Sequence, residues 1–274
     1  MIRPKKSLGQ HFLKDPEIAQ RIAKTLSAYH DLPVLEVGSG TGALTRYLLE
    51  EAYRLTVVEV DCASITYLEQ HFPELQGHIR NEDFLLMDLK RLYDAKFCLI
   101  GNYPYYIASQ IFFKVLDNRE QIVCCAGMIQ KEVAERLSAP PGTRSFGILS
   151  ALIQPWYDVE YLFTVSEKVF DPPPKVMSAV IRMTRNNRTT LGCDEAIYKK
   201  VVKTSFNRRR KTLRNSMQPL LGKDFPHFDL PIFDKRPEQL SIEQFIELTR
   251  MTEAFLNEAF LNKTMIVKNE TDTP

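Results

Sequence analysis

The feature that most limits the possible folds is an alternation of two kinds of segment between residues 33 and 130. Short apolar runs predict strands at PVLEVG (33–38), RLTVVEVD (54–61), KFCLIGN (96–102) and QIVCCAGMIQ (121–130). Amphipathic stretches between them predict helices at ALTRYLLEEA (43–52), ASITYLEQHF (63–72) and ASQIFFKVLDN (108–118). Strands that alternate with helices form a mainly parallel sheet with helices on both faces. The chain is therefore predicted to have an α/β fold.

The second half of the chain has a different pattern. Apolar runs near 147–163 and 176–184 predict the strands that close the sheet, and FDPPPKV (170–176) predicts a stiff loop because proline cannot sit inside a sheet. A polar linker (184–195) precedes segments with helical periodicity, at 195–218, near 219 and at 241–261. We therefore predict a first domain over 1–186, a helical domain over 187–262 and a loose tail over 263–274.

Composition excludes several classes of protein. The chain has 274 residues, of which 44% are hydrophobic and 26% charged, and its net charge is +2. These values indicate a globular protein with a sizeable core. Its five cysteines lack C-x-x-C spacing, so neither disulfides nor a zinc site are expected. No run approaches the roughly 20 apolar residues of a membrane helix. No apolar stretch as long as that of a signal peptide follows MIRPKKSLGQHFL. We expect a cytoplasmic protein without metal.

A glycine-rich turn, LEVGSGTGALT (35–45), joins the first predicted strand to the first helix. Glycines at positions such as Gly38 and Gly40 let the backbone turn tightly and approach a ligand. Glu59 ends the next strand, 21 residues after Gly38. A carboxylate there can accept hydrogen bonds from both hydroxyls of an adenosine ribose. This half of the protein is therefore predicted to bind a cofactor that contains adenosine.

The identity of that cofactor depends on two further carboxylates. Read as G-x-G-x-x-G/A, the turn also fits a dinucleotide fingerprint. Glu36, just before the turn, would repel a pyrophosphate but can help to hold an ammonium group. Asp83, in NEDF (81–84), is expected at the end of a short strand before KFCLIGN, the third of the sheet, and can accept a hydrogen bond from the adenine amino group. These residues favour S-adenosylmethionine, while the alternative is a turn that serves packing alone.

The sequence CLIGNYPYYIA (98–108) places an amide, a proline and three tyrosines where the fourth strand ends. Methyl transfer to the exocyclic amine of adenine is difficult because the nitrogen lone pair is delocalised into the ring. The side-chain oxygen of Asn102 and a main-chain carbonyl of Tyr103 or Pro104 can accept the two N–H groups and favour a tetrahedral nitrogen. Pro104 fixes the backbone, and Tyr105 offers a flat surface for an unstacked base. This arrangement catalyses by placement and needs no strong base.

These segments together resemble the ribosomal RNA adenine dimethyltransferases, the KsgA family and its Erm relatives. The shared motifs, in family order, are KKSLGQHFL (5–13), LEVGSGTGALT, VEVD, NEDF, GNYPYYI and FDPPPKVMSAV. The resemblance covers about residues 5–260. It implies a class I, Rossmann-like methyltransferase fold with a seven-stranded, mostly parallel sheet, a small helical C-terminal domain and S-adenosylmethionine as donor. It also implies N6,N6-dimethyladenosine as product, at two adjacent adenosines near the 3′ end of small-subunit (16S) ribosomal RNA, and we expect a monomer.

The resemblance also assigns individual residues. The residues implied to bind the cofactor are Gln10, His11, Leu13, Gly38, Glu59, Asp83 and Asn102. The residues implied to act on the target base are Asn102, Pro104, Tyr105, which stacks on the adenine, and Phe170, which closes its other face. Two positions depart from the family pattern. His11 replaces a common Asn, and Tyr103 replaces a common Leu or Ile, which makes the shape of the pocket near Tyr103 uncertain.

A basic segment near the start of the helical half predicts contact with RNA. KTSFNRRRKTLRN (203–215) contains no acidic residue, and its cations are Lys203, Arg208, Arg209, Arg210, Lys211 and Arg214. On one continuous helix, Lys203, Arg210 and Arg214 would share a face opposite to the apolar residues. A basic face of this kind binds phosphates. The alternative is an ordinary solvated charged face.

Three other functions are compatible with parts of the sequence. An Erm-like enzyme would act on large-subunit (23S) RNA, whereas the long helical C-terminal region and the FDPPPKV loop favour the small-subunit enzyme. A non-catalytic RNA-binding assembly factor would not need Glu59, Asp83 or the Asn102–Tyr105 motif. A nicotinamide dehydrogenase would explain the glycine turn but not that motif.

Overall fold

The computed structural model describes the backbone of residues 4–5 and 8–271 and the side chains of these residues up to 258. The strands are β1 (Phe12–Leu13), β2 (Pro33–Val37), β3 (Arg54–Glu59), β4 (Ile79–Asn81), β5 (Phe97–Asn102), β6 (Ile122–Gln130), β7 (Tyr157–Val165), β8 (Phe170–Asp171) and β9 (Ser178–Arg185). The helices are α1 (Pro16–Ala23), α2 (Thr45–Glu50), α3 (Cys62–His71), α4 (Leu89–Leu92), α5 (Ala108–Asp117), α6 (Lys131–Ser138), α7 (Ile148–Ile153), α8 (Glu195–Asn207), α9 (Leu213–Ser216), α10 (Gln218–Leu221) and α11 (Ile242–Thr271). Short 3₁₀ turns include Lys24–Tyr29 and Tyr105–Ile107.

Seven of the strands form one sheet, in the order β4-β3-β2-β5-β6-β9-β7. The first five are parallel, and β9 pairs antiparallel with both β6 and β7. The predicted seven-stranded, mostly parallel sheet is therefore confirmed. Its central strands are apolar because helices cover both faces, and Val34, Leu35, Cys98 and Leu99 are fully buried.

The order of the strands determines where a ligand can bind. From β2 the chain builds the sheet outward through β3 and β4, and then returns to place β5 on the other side of β2. Loops after β2 and β5 therefore leave in opposite directions and open a crevice at the carboxyl ends of these strands. This is the usual ligand site of open α/β sheets.

The chain divides into two compact units. The first contains Met1–Ser138 and Trp156–Asn186, and the second contains Ala139–Pro155 and Asn187–Pro274. The second unit is helical, and its buried side chains include Tyr198, Phe206, Phe233 and Phe245. It thus includes a segment, 139–155, that lies far from the rest of it in sequence.

That segment corrects the predicted strand near 147–163. Residues Ile148–Ile153 form helix α7, and the strand begins only at Tyr157. Helix α7 starts where the Ser150 hydroxyl accepts a hydrogen bond from the Gly147 N–H. Its side chains from Ser150 to Ile153 are all buried. An apolar run that is buried on every side has no periodicity, so it cannot be assigned to strand or helix from sequence.

The predicted helix over 195–218 is also wrong, because α8 ends at Asn207. Arg208 leaves the helical conformation, and the chain restarts as α9 at Leu213. The Arg209 guanidinium donates to the carbonyl oxygens of Arg144 and Phe146. Arginine favours helices, so the sequence gives no sign that the helix breaks here. The hydrogen bonds of Arg209 to residues distant in sequence occur at this break.

The C-terminal helix α11 extends to Thr271, into the stretch expected to be a loose tail, while residues 272–274 lie outside the described residues. Among the described helices, none is long and apolar enough to cross a membrane. The described side chains also contain no cluster of three or more His, Cys, Asp or Glu that could hold a metal ion.

Candidate active site

A cavity of about 370 Å³ lies in the first unit, at the carboxyl ends of β2, β3 and β5. The loops that follow these strands and the segment 8–13 form its walls. Nine of the predicted site residues line it: Gln10, His11, Leu13, Gly38, Glu59, Asp83, Asn102, Pro104 and Tyr105. Residues predicted from five separate stretches of sequence therefore meet at one place.

The glycine turn is shaped by backbone conformations that other residues rarely adopt. Gly38, Gly40 and Gly42 have φ angles of +73°, +55° and +76°. A Cβ atom on Gly40 would lie 3.1 Å from the Phe12 ring, and one on Gly42 would lie 2.4 Å from the Phe72 ring. The missing side chains thus permit the turn and let aromatic rings pack directly against it.

Glu59 holds the glycine turn from the end of β3. Its Oε2 accepts a hydrogen bond from the Gly40 N–H at 2.9 Å, and its Oε1 accepts from the N–H groups of Val60 and Asp61. A carboxylate has about four lone-pair sites. Glu59 can therefore fix the turn and still accept hydrogen bonds from a ligand in the cavity.

Glu36 lies deeper, at the end of β2, and is 1% exposed. Burial raises the pKa of its carboxyl to about 8, because it disfavours the charged form. The hydrogen bond from the Thr45 hydroxyl (2.7 Å) opposes this shift, and the nearby charge of Glu59 adds to it. A cation bound in the cavity would favour the ionised form.

Asn102 ends β5, and its amide orientation is determined by one contact. The side-chain Nδ2 donates to the His11 carbonyl oxygen at 3.2 Å. A carbonyl oxygen can only accept, so nitrogen must occupy this position and Oδ1 must occupy the other. The oxygen of Asn102 is therefore available as an acceptor in the cavity wall.

The tyrosines after Asn102 have different environments. The Tyr103 ring is 1% exposed and its hydroxyl donates to the Ala126 carbonyl oxygen, so the ring packs in the core. The Tyr105 hydroxyl forms a 2.5 Å hydrogen bond with the Ser178 hydroxyl. Burial raises the pKa of Tyr105, so its phenol stays neutral. Its ring stacks on His11 with centroids 5.7 Å apart.

The segment 8–13 is fastened to the rest of the cavity at several points. Strand β1 pairs with β8 through Phe12 and Leu13, and the His11 ring nitrogen Nδ1 is 2.7 Å from the Pro172 carbonyl oxygen. Strands of two residues have no detectable periodicity, so the sequence did not predict this ribbon.

A second attachment of this segment involves Asp61, which the sequence analysis missed. Asp61 is buried, forms a 2.5 Å ion pair with Lys5 and accepts hydrogen bonds from Gln10 and Ser64. Burial alone would raise the pKa of Asp61, but the hydrogen bonds from Lys5, Ser64 and Gln10 outweigh it and the pKa is lowered. The VEVD motif contained this residue, but only the distant lysine explains why a buried acid stands there.

The loop that carries Asp83 is supported by a lysine from α5. Asp83 Oδ1 accepts a hydrogen bond from the Leu85 N–H at 2.9 Å. Lys114 Nζ donates to the carbonyl oxygens of Leu85 (3.0 Å) and Met87 (2.5 Å). Burial lowers the pKa of Lys114, and the nearby Asp83, Asp88 and Asp117 oppose this effect. Lys114 therefore positions the loop that contains Asp83.

The chain is similar in sequence to proteins of a known family. A sequence model described as "Ribosomal RNA adenine dimethylase" matches residues 1–253. The chain belongs to the ribosomal RNA adenine dimethylase family. It is 67% identical over 256 residues to "Ribosomal RNA small subunit methyltransferase A" of Parabacteroides distasonis, which covers 93% of this chain and 96% of that protein. The protein of the same name from Bacteroides thetaiotaomicron is 60% identical, with 94% and 97% covered.

Solved structures support the same assignment of the fold. A dimethyladenosine transferase from Plasmodium falciparum has a TM-score of 0.73 at 24% identity, over 87% of this chain and 96% of that one. The 23S rRNA methyltransferase ErmE has a TM-score of 0.65 at 26% identity, over 88% and 99%. This family member is thus a methyltransferase with the class I fold.

Phe170 does not line the cavity of this dimethylase. It was expected to close one face of the target base, but it is 1% exposed, belongs to the hydrophobic core and does not line the cavity. Its backbone pairs with Leu13 in the β1–β8 ribbon. In this conformation the ring that faces Tyr105 is that of His11.

The basic segment of the dimethylase is less uniform than its sequence indicated. Because the helix breaks after Asn207, Lys203, Arg210 and Arg214 do not share a continuous helical face. Arg214 pairs with Asp234 at 2.7 Å, and Arg209 bonds to backbone carbonyls. The four cations that are exposed and make no ion pair among the described residues are Lys203, Arg208, Arg210 and Lys211.

Proposed function

We propose that this chain transfers methyl groups from S-adenosylmethionine to N6 of two adjacent adenosines near the 3′ end of small-subunit ribosomal RNA, during ribosome biogenesis in the cytoplasm. The observation that carries the proposal is the free Oδ1 of Asn102. The hydrogen bond from Nδ2 to the His11 carbonyl oxygen orients it, in the same cavity as the glycine turn. The names of the relatives that are 60% and 67% identical support the small subunit as substrate.

The residues of the cavity fit this donor. Glu59 retains acceptor capacity for the ribose hydroxyls, and Asp83 is held at the rim by its loop. Gln10, His11 and Leu13 form the wall contributed by the N-terminal segment. Glu36, buried beneath the turn, favours a positively charged ligand because such a ligand offsets the burial of its own charge.

S-adenosylmethionine, when bound, supplies a methyl group on a positively charged sulfur. The chain holds the target amine, which receives the methyl group. Asn102 Oδ1 accepts a hydrogen bond from one N–H of this amine, and a main-chain carbonyl oxygen accepts one from the other. The Pro104 carbonyl already accepts from the Ile107 N–H at 3.1 Å, so the Tyr103 carbonyl is the better candidate. With both N–H groups held, the nitrogen lone pair turns out of the ring plane and becomes nucleophilic.

The proton balance requires no catalytic base. The bond from nitrogen to the methyl carbon forms as the bond from carbon to sulfur breaks, and the amine becomes a cation with a low pKa. It loses its proton to water after transfer. The second methylation uses the same site, with one N–H left to hold. Catalysis then rests on orientation, which can supply several kcal/mol.

The exposed cations of the second unit are proposed to contact RNA phosphates. Lys203, Arg208, Arg210 and Lys211 are exposed within nine residues of sequence. Four such charges without a protein partner among the described residues form a footprint for phosphates. Arg209 and Arg214 are engaged within the unit and are expected to contribute less. We expect the protein to act as a monomer.

The test uses labelled S-adenosylmethionine and three acceptors: small subunits that lack the modification, large-subunit RNA and mature small subunits. Nucleoside analysis should find dimethyladenosine only with the unmodified small subunit. Label confined to large-subunit RNA would assign the activity described by the name of ErmE. Binding of RNA without any label would make this an assembly factor. Asn102→Ala serves as the inactive control.

A further inference from the structure

Tyr106 differs from the two other tyrosines of its motif because it is 58% exposed while lining the catalytic cavity. Tyr103 is buried with a hydrogen-bonded hydroxyl, and Tyr105 is tied to Ser178. Neither of these structural roles applies to Tyr106. Its large apolar ring remains in water beside the place where the target adenine must enter.

The Tyr106 ring is nevertheless supported from one side. A Cβ atom on Gly9 would lie 3.0 Å from Tyr106 Cδ1 and 3.3 Å from Cε1. Gly9 has a φ of +57°, so glycine at this position permits both the turn and the close approach of the ring. The ring therefore rests on bare backbone and is open on the rest of its surface.

Other exposed apolar side chains line the cavity or lie close in sequence to residues of the site. Five large hydrophobic side chains are exposed among the described residues of the first unit: Val60, Leu86, Tyr106, Val176 and Met177. Val60 and Tyr106 line the cavity, Leu86 follows a lining residue, and Met177 precedes Ser178, the partner of Tyr105. We call these five residues the collar. Val60 and Tyr106 thus present exposed apolar surface at the cavity itself, and exposed apolar surface at a cleft marks an interaction site.

We propose that the collar binds the unstacked nucleotides that flank the target adenosine, and that Tyr106 is the stacking surface for the base next to it. This inference rests on the proposed function. A base that leaves its stack exposes a flat apolar face of its neighbour as well as its own. With one adenine at Tyr105, the adjacent base lies at the opening, where the adjacent tyrosine presents a free ring. Lys175, exposed beside Val176, supplies a cation for a phosphate of the same strand.

The experiment compares Tyr106→Ala with Tyr106→Phe, which keeps the ring and removes the hydroxyl. The probe is a small-subunit RNA fragment with 2-aminopurine at the nucleotide adjacent to a target adenosine. We expect binding to quench the fluorescence with the wild type and with Tyr106→Phe, but not with Tyr106→Ala. Loss of one stacked base should raise the KM for RNA by roughly 5- to 50-fold.

Two controls separate this role from a structural one. Tyr161→Ala on β7, which does not line the cavity, should behave as the wild type. The Kd for S-adenosylmethionine should change less than twofold in Tyr106→Ala. A raised Kd for the donor with an unchanged KM for RNA would show that Tyr106 only packs on Gly9, and this result would overturn the proposal. Unchanged quenching in Tyr106→Ala would do the same.

Failure of the proposed function gives a different result. If the wild type binds the RNA but transfers no label, the methylation proposal fails, and the quenching comparison still decides whether Tyr106 stacks on the neighbouring base. If the wild type binds no RNA at all, both proposals fall together.

Discussion

At Asn102, a single amide holds the N-terminal segment and presents an acceptor to the cavity. Its nitrogen holds the N-terminal segment through the His11 carbonyl, and its oxygen remains for the target amine. The role of the oxygen as an acceptor was predicted from the sequence, because an amide at the end of a strand of this sheet faces the ligand crevice. The sequence did not predict the partner of the nitrogen, which lies 91 residues away, just before a strand of only two residues.

Asn102→Ala should lower kcat for methylation by roughly 10²- to 10³-fold, since one of the groups that hold the reacting amine is lost. The melting temperature should change little, because the residue is at the end of β5 and is only partly buried. Steady-state kinetics with labelled donor and thermal unfolding measure the two quantities. Turnover equal to that of the wild type would disprove the proposed role of Asn102.

Glu36 makes stability depend on pH. Its pKa is about 8 in the folded protein against about 4.5 for the free group, so the folded state holds a proton that the unfolded state releases. Stability therefore falls as pH rises from about 4.5 to 8. Glu36→Gln removes the titration and keeps an acceptor for Thr45. The ligand-free variant should be more stable than the wild type at pH 8, by on the order of 2 kcal/mol, and similar at pH 5.

Urea unfolding of the ligand-free proteins at the two pH values tests this prediction. Equal pH dependence in the wild type and Glu36→Gln would show that the carboxyl is ionised throughout. Glu36→Ala is a less suitable comparison because it also removes the partner of Thr45 and leaves a cavity.

At the scale of elements, the sequence predicted the strands and helices whose apolar residues recur with a clear period. It missed the elements that lack such a period. The parallel strands β2, β3, β5 and β6 and the helices α2, α3 and α5 between them were located, whereas the four-residue helix α4 was not predicted. Helix α7 was taken for a strand because its apolar residues are buried on every side. The end of α8 was missed because arginines favour helix, whereas contacts from residues 144 and 146 hold the chain in another conformation. In each case tertiary contacts override local preference.

The attachment of the N-terminal segment is an element with a testable function. Asp61→Asn removes the ion pair with Lys5 but preserves capping of α3, since asparagine caps helices as well as aspartate does. We expect the Kd for S-adenosylmethionine to rise by roughly 3- to 10-fold, as loss of a charged hydrogen bond implies. Isothermal titration calorimetry measures it. Asp88→Asn at the start of α4 is the matched control, and an equal effect there would refute the explanation.

At the scale of the whole molecule, the sequence predicted a first domain over 1–186 and a helical domain over 187–262, whereas each of the two compact units is made of two separate segments of the chain. The sequence did not predict that residues 139–155 belong with the C-terminal unit, because this membership depends on contacts such as the hydrogen bond from the Tyr198 hydroxyl to the Ala151 carbonyl. The charged segment was identified, but not which of its cations are engaged, because the acid that pairs with Arg214 lies 20 residues away.

Replacement of Arg208, Arg210 and Lys211 by alanine should weaken RNA binding and flatten its salt dependence. Each lost phosphate contact should reduce the slope of log K against log salt by about 0.7–0.9. Fluorescence anisotropy with labelled RNA at several salt concentrations measures the slope. Arg214→Ala is the control, because this side chain already pairs with Asp234. A slope that stays unchanged in the triple variant would place the RNA contacts on other residues.

The fastened segment 8–13 has a consequence for the pace of the complete reaction. Two methyl groups on each of two adenosines consume several donor molecules for every RNA, and each spent donor must leave before the next one enters. The wall formed by Gln10, His11 and Leu13 is held by an ion pair, a short ribbon and a few single hydrogen bonds. If this wall opens between transfers, spent donor can leave while the RNA stays bound. Release of spent donor, rather than methyl transfer, would then set the time that one ribosomal subunit occupies the enzyme.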